Sequence, residues 1–316
     1  MCSCGLLRGS CLREGGVMTM NKTEYDKKTL IKYLVWSFVL GYIVQFVAWL
    51  LIDKDNLTVA KLLMSGLMFT PTLSVLLSGA KFKNMGFKPK FRKNAKTFLT
   101  AWLLPLIISV TGAVLYFAVF PGHLDLKGAY ADPEMLRQLN EQGLTFEQYI
   151  LISIISALVF GVLINTFFAL GEEIGWRGFM YPQLKERFGH NKGWLLGGLI
   201  WGAWHWPLII LIGYEYGEAA GNMAGYAGAP VSGMLVFCVF TLAVGIIHDC
   251  LYEKSGSIWV PALFHGEINA AATLPLGICF PNGGSLRLLG PSINGVLAGL
   301  PLIIIAAILL YKNREV

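Results

Sequence analysis

Charge is scarce in this chain: 14% of its 316 residues are Asp, Glu, Lys or Arg, where an ordinary soluble protein has about 25%. That shortage excludes a soluble single domain. His-Glu-x-x-His and Gly-x-Ser-x-Gly are both absent, which removes the usual zincin and serine-hydrolase arrangements. The six cysteines show neither a disulfide framework nor zinc-site spacing with His. Cys2, Cys4 and Cys11 fall in a polar N-terminal tail, and Cys238, Cys250 and Cys279 are scattered in or beside apolar runs. The tail has no apolar h-region, so no signal peptide is expected and the first apolar run is retained as an anchor. Met18 and Met20 precede a more ordinary start, which makes residues 1–17 dispensable on this reading. Internal repeats, low-complexity tracts and paired broken spans are missing too, which argues against a transporter built from inverted repeats.

What the chain has instead is apolar length. Hydrophobic residues make up 55% of it, gathered in runs of about twenty, the length of a helix that crosses a ~30 Å hydrocarbon layer. Eight such runs are expected: 30–52, 57–79, 97–120, 148–171, 193–213, 232–248, 256–278 and 292–311. The sixth is short. The expected fold is an all-α polytopic transmembrane bundle with no soluble domain.

The net charge of +6 could suggest nucleic acid, but its distribution follows the membrane instead. Nineteen Lys and Arg fall before the first run, in alternate loops and after the last run, against four in the opposite loops. Since Lys and Arg resist translocation, that bias puts both termini in the cytosol. The loop 80–96 holds seven bases and no acid; this is a topology signal that could also touch anionic headgroups. The loop 121–147 has the opposite balance, with five acids against Lys127 and Arg137.

Ionisable side chains within or beside apolar runs are expensive, and they mark candidate functional sites. In Gly171-Glu172-Glu173-Ile174-Gly175-Trp176-Arg177, Glu173 and Arg177 are four apart with the acid first, the favoured order for a helical ion pair. Glu172 is about 100° around the helix, free to face the bundle as a base. His205 lies about 18 Å along its run, with Trp201 on the same face. His265 and Asn269 are again four apart, spaced to donate into one cavity. Glu267 points elsewhere, towards a wet cleft or a neighbouring helix, and His248 beside Asp249 reads as an interfacial residue. Each of these also has a plainer reading, as a headgroup-level cluster or a hydrogen bond between helices.

Together, one carboxylate, two imidazoles and a carboxamide make a hydrolytic set. A carboxylate and a His can position and deprotonate water, and a His–Asn pair can hold an oxyanion. The same residues allow a catalytic zinc held by Glu172, His205 and His265 with water in the open position.

At these residues the sequence resembles the CPBP (CAAX protease and bacteriocin-processing) family of intramembrane endopeptidases. Glu172, Glu173 and Arg177 match its Glu-Glu-x-x-x-Arg motif. Trp201 and His205 match Phe-x-x-x-His, with Trp in place of Phe. His265 and Asn269 match His-x-x-x-Asn, after the lead-in that begins at Ser255. The resemblance covers about 150–275, and three motifs in order on separate runs are more specific than any one. It implies a helical bundle around a catalytic cavity open to the cytosol, with Glu172 and His205 activating water, His265 and Asn269 stabilising the oxyanion, and Glu173, Arg177 and Trp201 supporting them. The family has been described both as metal-dependent and as a metal-independent glutamate protease; Asn is a poor zinc ligand and Glu172 sits on a different run from either His, which favours the second.

The expected organisation is a cytosolic tail (1–29), supporting helices (30–147), a catalytic core (148–278) and a last span with a cytosolic C-terminus (279–316). The expected activity is hydrolysis of a peptide bond near the cytosolic face of the plasma membrane. The partners are a peptide or protein substrate, lipidated or with a hydrophobic C-terminus, and membrane lipids, with no nucleic acid. The alternative is a non-catalytic immunity or scaffold protein of the same fold.

Overall fold

In hydrocarbon, a single apolar run can satisfy its own backbone N–H and C=O groups only as a helix. A computed structural model of the chain, describing residues 25–54, 56–216, 226–272, 274–279 and 284–313, is helical with no strand among those residues. Only an isolated bridge joins Leu124 to Cys279. The tail up to residue 24, with its three cysteines and both alternative starts, lies outside the described residues.

The first third holds α1 (Lys27–Asp53), α2 (Leu57–Leu67), α3 (Thr70–Ser78) and α4 (Phe91–Val119). A short surface helix, α5 (Pro133–Glu141), precedes α6 (Phe146–Ser156), α7 (Val162–Gly175) and α8 (Tyr181–Phe188). These last three join through π-turns at Ala157–Gly161 and Trp176–Met180 into one helical stretch of 43 residues. There follow α9 (His190–Trp204), α10 (Trp206–Ile212), α11 (Val231–Ser255), α12 (Trp259–Ala271) and α13 (Leu300–Lys312).

Among the described residues five helices are long and apolar enough to cross a membrane, or six if α2 and α3, bent by 47°, form one broken span. The apolar runs alone lead one to expect eight. The difference lies mainly in the last two runs. Residues 256–278 give a 13-residue α12 followed by a 3₁₀ turn at Leu274–Ile278, and α13 begins only after the Pro291–Gly299 turns, also with 13 residues. Gly and Pro inside an apolar run keep its hydropathy while ending its helix. The short sixth run is in fact a 25-residue helix reaching Ser255. Cys250 is disulfide-bonded, although the cysteine pattern implies no disulfide framework.

The exterior is apolar and the interior carries the polar groups. Leu163, Ile164 and Phe167 of α7 are exposed, whereas Glu172, Glu173 and Arg177 are buried. Lipid tails are as apolar as Leu, so burying Leu there gains little, and close backbone packing holds helices together. A Cβ on Gly175 would lie 2.4 Å from the Pro71 Cβ, and one on Gly266 would lie 2.5 Å from the Thr166 N. These two positions admit only glycine, and they press α7 between α3 and α12.

Outside the bundle, Asp125 organises the acidic loop by accepting from the backbone N–H groups of Lys127, Ala129 and Tyr130. Burial pushes its carboxyl up, but these donors more than offset that and leave it below its ordinary 3.8. Its contribution to loop stability is therefore complete above pH 3.8 and lost as the pH falls through the lower folded value. In Asp125→Asn, amide exchange at Lys127, Ala129 and Tyr130 should accelerate at pH 6 and lose its acid dependence; unchanged protection would refute this role.

Candidate active site

The site begins with a break in a helix. Pro207 has no N–H to give the Ala203 carbonyl, so α9 ends and α10 starts at His205. The freed groups are taken up by α1: the Tyr42 hydroxyl donates to Ala203 O at 2.9 Å and Gln45 Nε2 to Trp204 O at 2.8 Å. Leu208 N in turn donates to Gln45 Oε1 at 3.2 Å. This scaffold fixes His205, whose Nδ1 faces the Trp201 carbonyl at 2.9 Å. A carbonyl can only accept, so Nδ1 carries the proton and Nε2 has the lone pair.

A π-turn positions the acids. It widens the helix at Trp176–Met180, a distortion common at functional sites. Trp176 Nε1 donates to Glu172 Oε2 at 3.0 Å, and Trp201 Nε1, from α9, donates to the same oxygen at 2.8 Å. Glu172 is 3% exposed and lines a cavity of about 360 Å³ together with Trp201, His205, His265 and Asn269. Four of the expected residues, from α7, the α9–α10 break and α12, thus share one chamber with the indole that links them. Met64, Ser65 and Met68 form part of its wall beside the α2–α3 bend.

Glu173 points away from the chamber and is completely buried. Its Oε1 accepts from Arg177 Nη1 at 2.9 Å, the expected pair, and also from His265 Nδ1 at 2.9 Å. The carboxylate therefore orients a ring of the chamber besides bracing its own helix. Arg177 stacks over Trp201 at 4.4 Å and over Tyr181 at 4.8 Å, a cation–π arrangement that substitutes for water around a buried guanidinium.

Trp201 is the junction of the site. Its indole meets the rings of His205, His248 and His265 at centroid distances of 6.2, 5.6 and 5.4 Å. The Trp that departs from the motif's Phe supplies a donor to Glu172 that Phe lacks. Trp201→Phe should therefore lower any turnover at this site about 10- to 100-fold, the worth of a hydrogen bond to a charged group, in protein whose folding is checked by thermal unfolding. Wild-type kcat in that variant would show that the indole N–H is idle.

His248 corrects the sequence reading. It is not interfacial but completely buried, with Nδ1 3.8 Å from Glu173 Oε1 and its ring against Phe264 and His265. Thr241 and Val244 of the same helix line the chamber, and their helical spacing with position 248 was the signal that could have turned this ring inward. Glu267 is also completely buried, neither oxygen has a hydrogen-bond partner among the described residues, and it does not line the chamber. The interhelical hydrogen bond expected of it is not made among the described residues.

A residue that sequence reasoning missed is Glu215, just after α10. It lines the chamber with Tyr214 and Asn294, and Asn294 Nδ2 donates to its Oε2 at 2.5 Å. Burial pushes its carboxyl up from the ordinary value, while hydrogen bonds from Tyr214 and Asn294 act in the opposite direction. Lying in a turn rather than a helix, it shares no periodicity with the other site residues.

Metal-donor geometry separates the candidates. Glu172, His205 and His265 are not among the trios whose ligand atoms converge; among the described residues those are Glu173–His248–His265 and His190–Asp249–Glu253. Neither converging set suits a divalent cation. The shared Glu173 oxygen already faces the Arg177 guanidinium, and the Lys185 ammonium sits 2.5 Å from Asp249 Oδ2 and 2.6 Å from Glu253 Oε1. A metal would meet an existing positive charge in each.

Comparison with known proteins agrees with the motif reading. The family model described as type II CAAX prenyl endopeptidase, Rce1-like, matches residues 154–271, the stretch that contributes Glu172, His205, His265 and Asn269. The CAAX prenyl protease 2 of Methanococcus maripaludis is 27% identical over 243 residues, covering 75% of this chain and 81% of that protein. The resemblance read from three short motifs thus extends over most of the chain, well into the helices before them.

Proposed function

We propose that this chain is an intramembrane endopeptidase that hydrolyses a peptide bond near the cytosolic membrane face, on substrates with a lipidated or hydrophobic C-terminus of the CAAX type. The observation that carries the proposal is the meeting of Glu172, His205, His265 and Asn269 in one chamber. Support for the substrate class comes from the name of the Methanococcus relative and from the Rce1-like family match. The basic-residue bias supports a multi-pass arrangement in the cytoplasmic membrane with both termini cytosolic.

In this reading a water molecule lies between Glu172 and His205. Both indoles donate to Glu172 Oε2, which leaves Oε1 to take the proton as the water oxygen adds to the substrate carbonyl carbon. His205 Nε2, an acceptor by its tautomer, orients that water. The oxyanion then forms within reach of His265 and Asn269. The Glu173 carboxylate, shared with Arg177, accepts from His265 Nδ1 and turns Nε2 of that ring towards the oxyanion. Collapse of the tetrahedral intermediate breaks the C–N bond, and the proton held by Glu172 passes to the leaving amine.

The converging metal-donor sets do not fit a cation, so no step is assigned to one and the metal-independent mechanism is the one proposed. The direct test is incubation of purified protein with a peptide library in detergent, with and without chelator. Cleavage that survives the chelator is the expected result; no cleavage of any member would reject the peptidase reading, and cleavage abolished by chelator would reject its metal-independent form.

A further inference from the structure

Two carboxylates, not one, line the chamber among the described residues. Besides Glu172 the wall includes Glu215, and among the described residues it includes no Lys or Arg. Arg287 is near enough to act on Glu215 through space but does not form part of the wall.

Glu215 is held in place from both sides. Its backbone has φ +68°, a left-handed conformation that a residue with a Cβ keeps only when its surroundings enforce it. The next residue, Tyr216, is completely buried and its hydroxyl donates to Asn294 O at 2.9 Å, while Asn294 Nδ2 donates to Glu215 Oε2. The preceding ring, Tyr214, lies nearly parallel to His205, 12° apart with centroids at 6.5 Å. One asparagine thus clamps the turn at two points, and one tyrosine ties it to the catalytic histidine.

A fixed carboxylate in the wall of a half-open chamber, among aromatic and aliphatic side chains, is screened less than one on an open surface. The mechanism above gives it no role in making or breaking bonds. We infer that Glu215 is a specificity-determining residue, receiving a positively charged side chain of the substrate and rejecting a carboxylate at the same position. This inference rests on the peptidase reading and deepens it. It also limits how substrate lies: a free C-terminal carboxylate must be held away from the Glu215 wall.

The test uses a set of peptides that differ only in carrying Lys, Gln or Glu at one position, scanned across the residues flanking the cleaved bond. Cleavage is measured with wild type, Glu215→Gln and Glu215→Asp, and binding by fluorescence anisotropy with Glu172→Gln and with Glu172→Gln combined with Glu215→Gln. At one position wild type should prefer Lys over Glu by about tenfold or more in kcat/KM, as expected when a carboxylate attracts one and repels the other. The preference should fall below about threefold in Glu215→Gln and persist in Glu215→Asp, which keeps the charge. The binding ratios should follow the same pattern. A ratio unchanged in Glu215→Gln, or a preference for Glu at every position, would overturn the inference. Absence of cleavage together with a charge preference in binding that needs Glu215 would defeat the peptidase reading and leave the recognition site standing.

Discussion

Glu172→Gln should leave the protein folded and bring turnover below detection, a loss at least as large as the about 10²- to 10⁴-fold that a positioned base contributes. Folding should survive because Gln has the same shape and its amide oxygen can still accept from the Trp176 and Trp201 indoles, the two partners of Glu172 Oε2. Proton transfer cannot survive, since an amide takes no proton from water at neutral pH. The measurements are single-turnover cleavage alongside thermal unfolding in detergent. Undiminished cleavage by a folded variant would reject Glu172 as the base, whereas a collapse of the unfolding temperature would show that the carboxylate is structural.

The second large effect concerns the pair behind the chamber. Arg177→Met removes one member of an ion pair in which both side chains are completely buried, leaving the Glu173 charge with the His265 ring alone. Breaking such a pair costs about 3–5 kcal/mol, and a marked drop in unfolding temperature is expected. Adding Glu173→Gln removes the stranded charge, so the double variant should regain most of the lost stability. Its activity should stay well below wild type, because His265 Nδ1 no longer faces a carboxylate, the stronger acceptor that fixes its ring. Stability and activity would then separate. A double variant that recovers both would confine Glu173 and Arg177 to bracing the helix.

These two expectations depend on parts of the site that were unequally legible. The four-residue spacing of Glu173 and Arg177 is a property of one helix, and the ion pair follows from it. His265 and Asn269, four apart on α12, both reach the chamber for the same reason. The Trp201 indole donating to Glu172 could not be read, since it joins residues 29 apart on different helices. Nor could the contact from Glu173 to His265, 92 residues away. His248 was misplaced because proximity to a charged loop suggested an interface, while the packing of α11 against α9 and α12 turned the ring inward.

Composition and charge bias, with no tertiary information, were enough to establish a helical membrane protein, and polar positions within apolar runs, their spacing and the motif resemblance brought out Glu172, His205, His265 and Asn269. In lipid, apolar length decides which segments become helices, and every retained ionisable group is conspicuous against that background. The tertiary structure alone decided which side chains share a hydrogen bond, that Glu215 enters the chamber, that His248 backs it, and that the last apolar runs form short helices. Those outcomes depend on how helices pack and where Pro and Gly interrupt them, and a hydropathy pattern carries no information about either the angle or the neighbour.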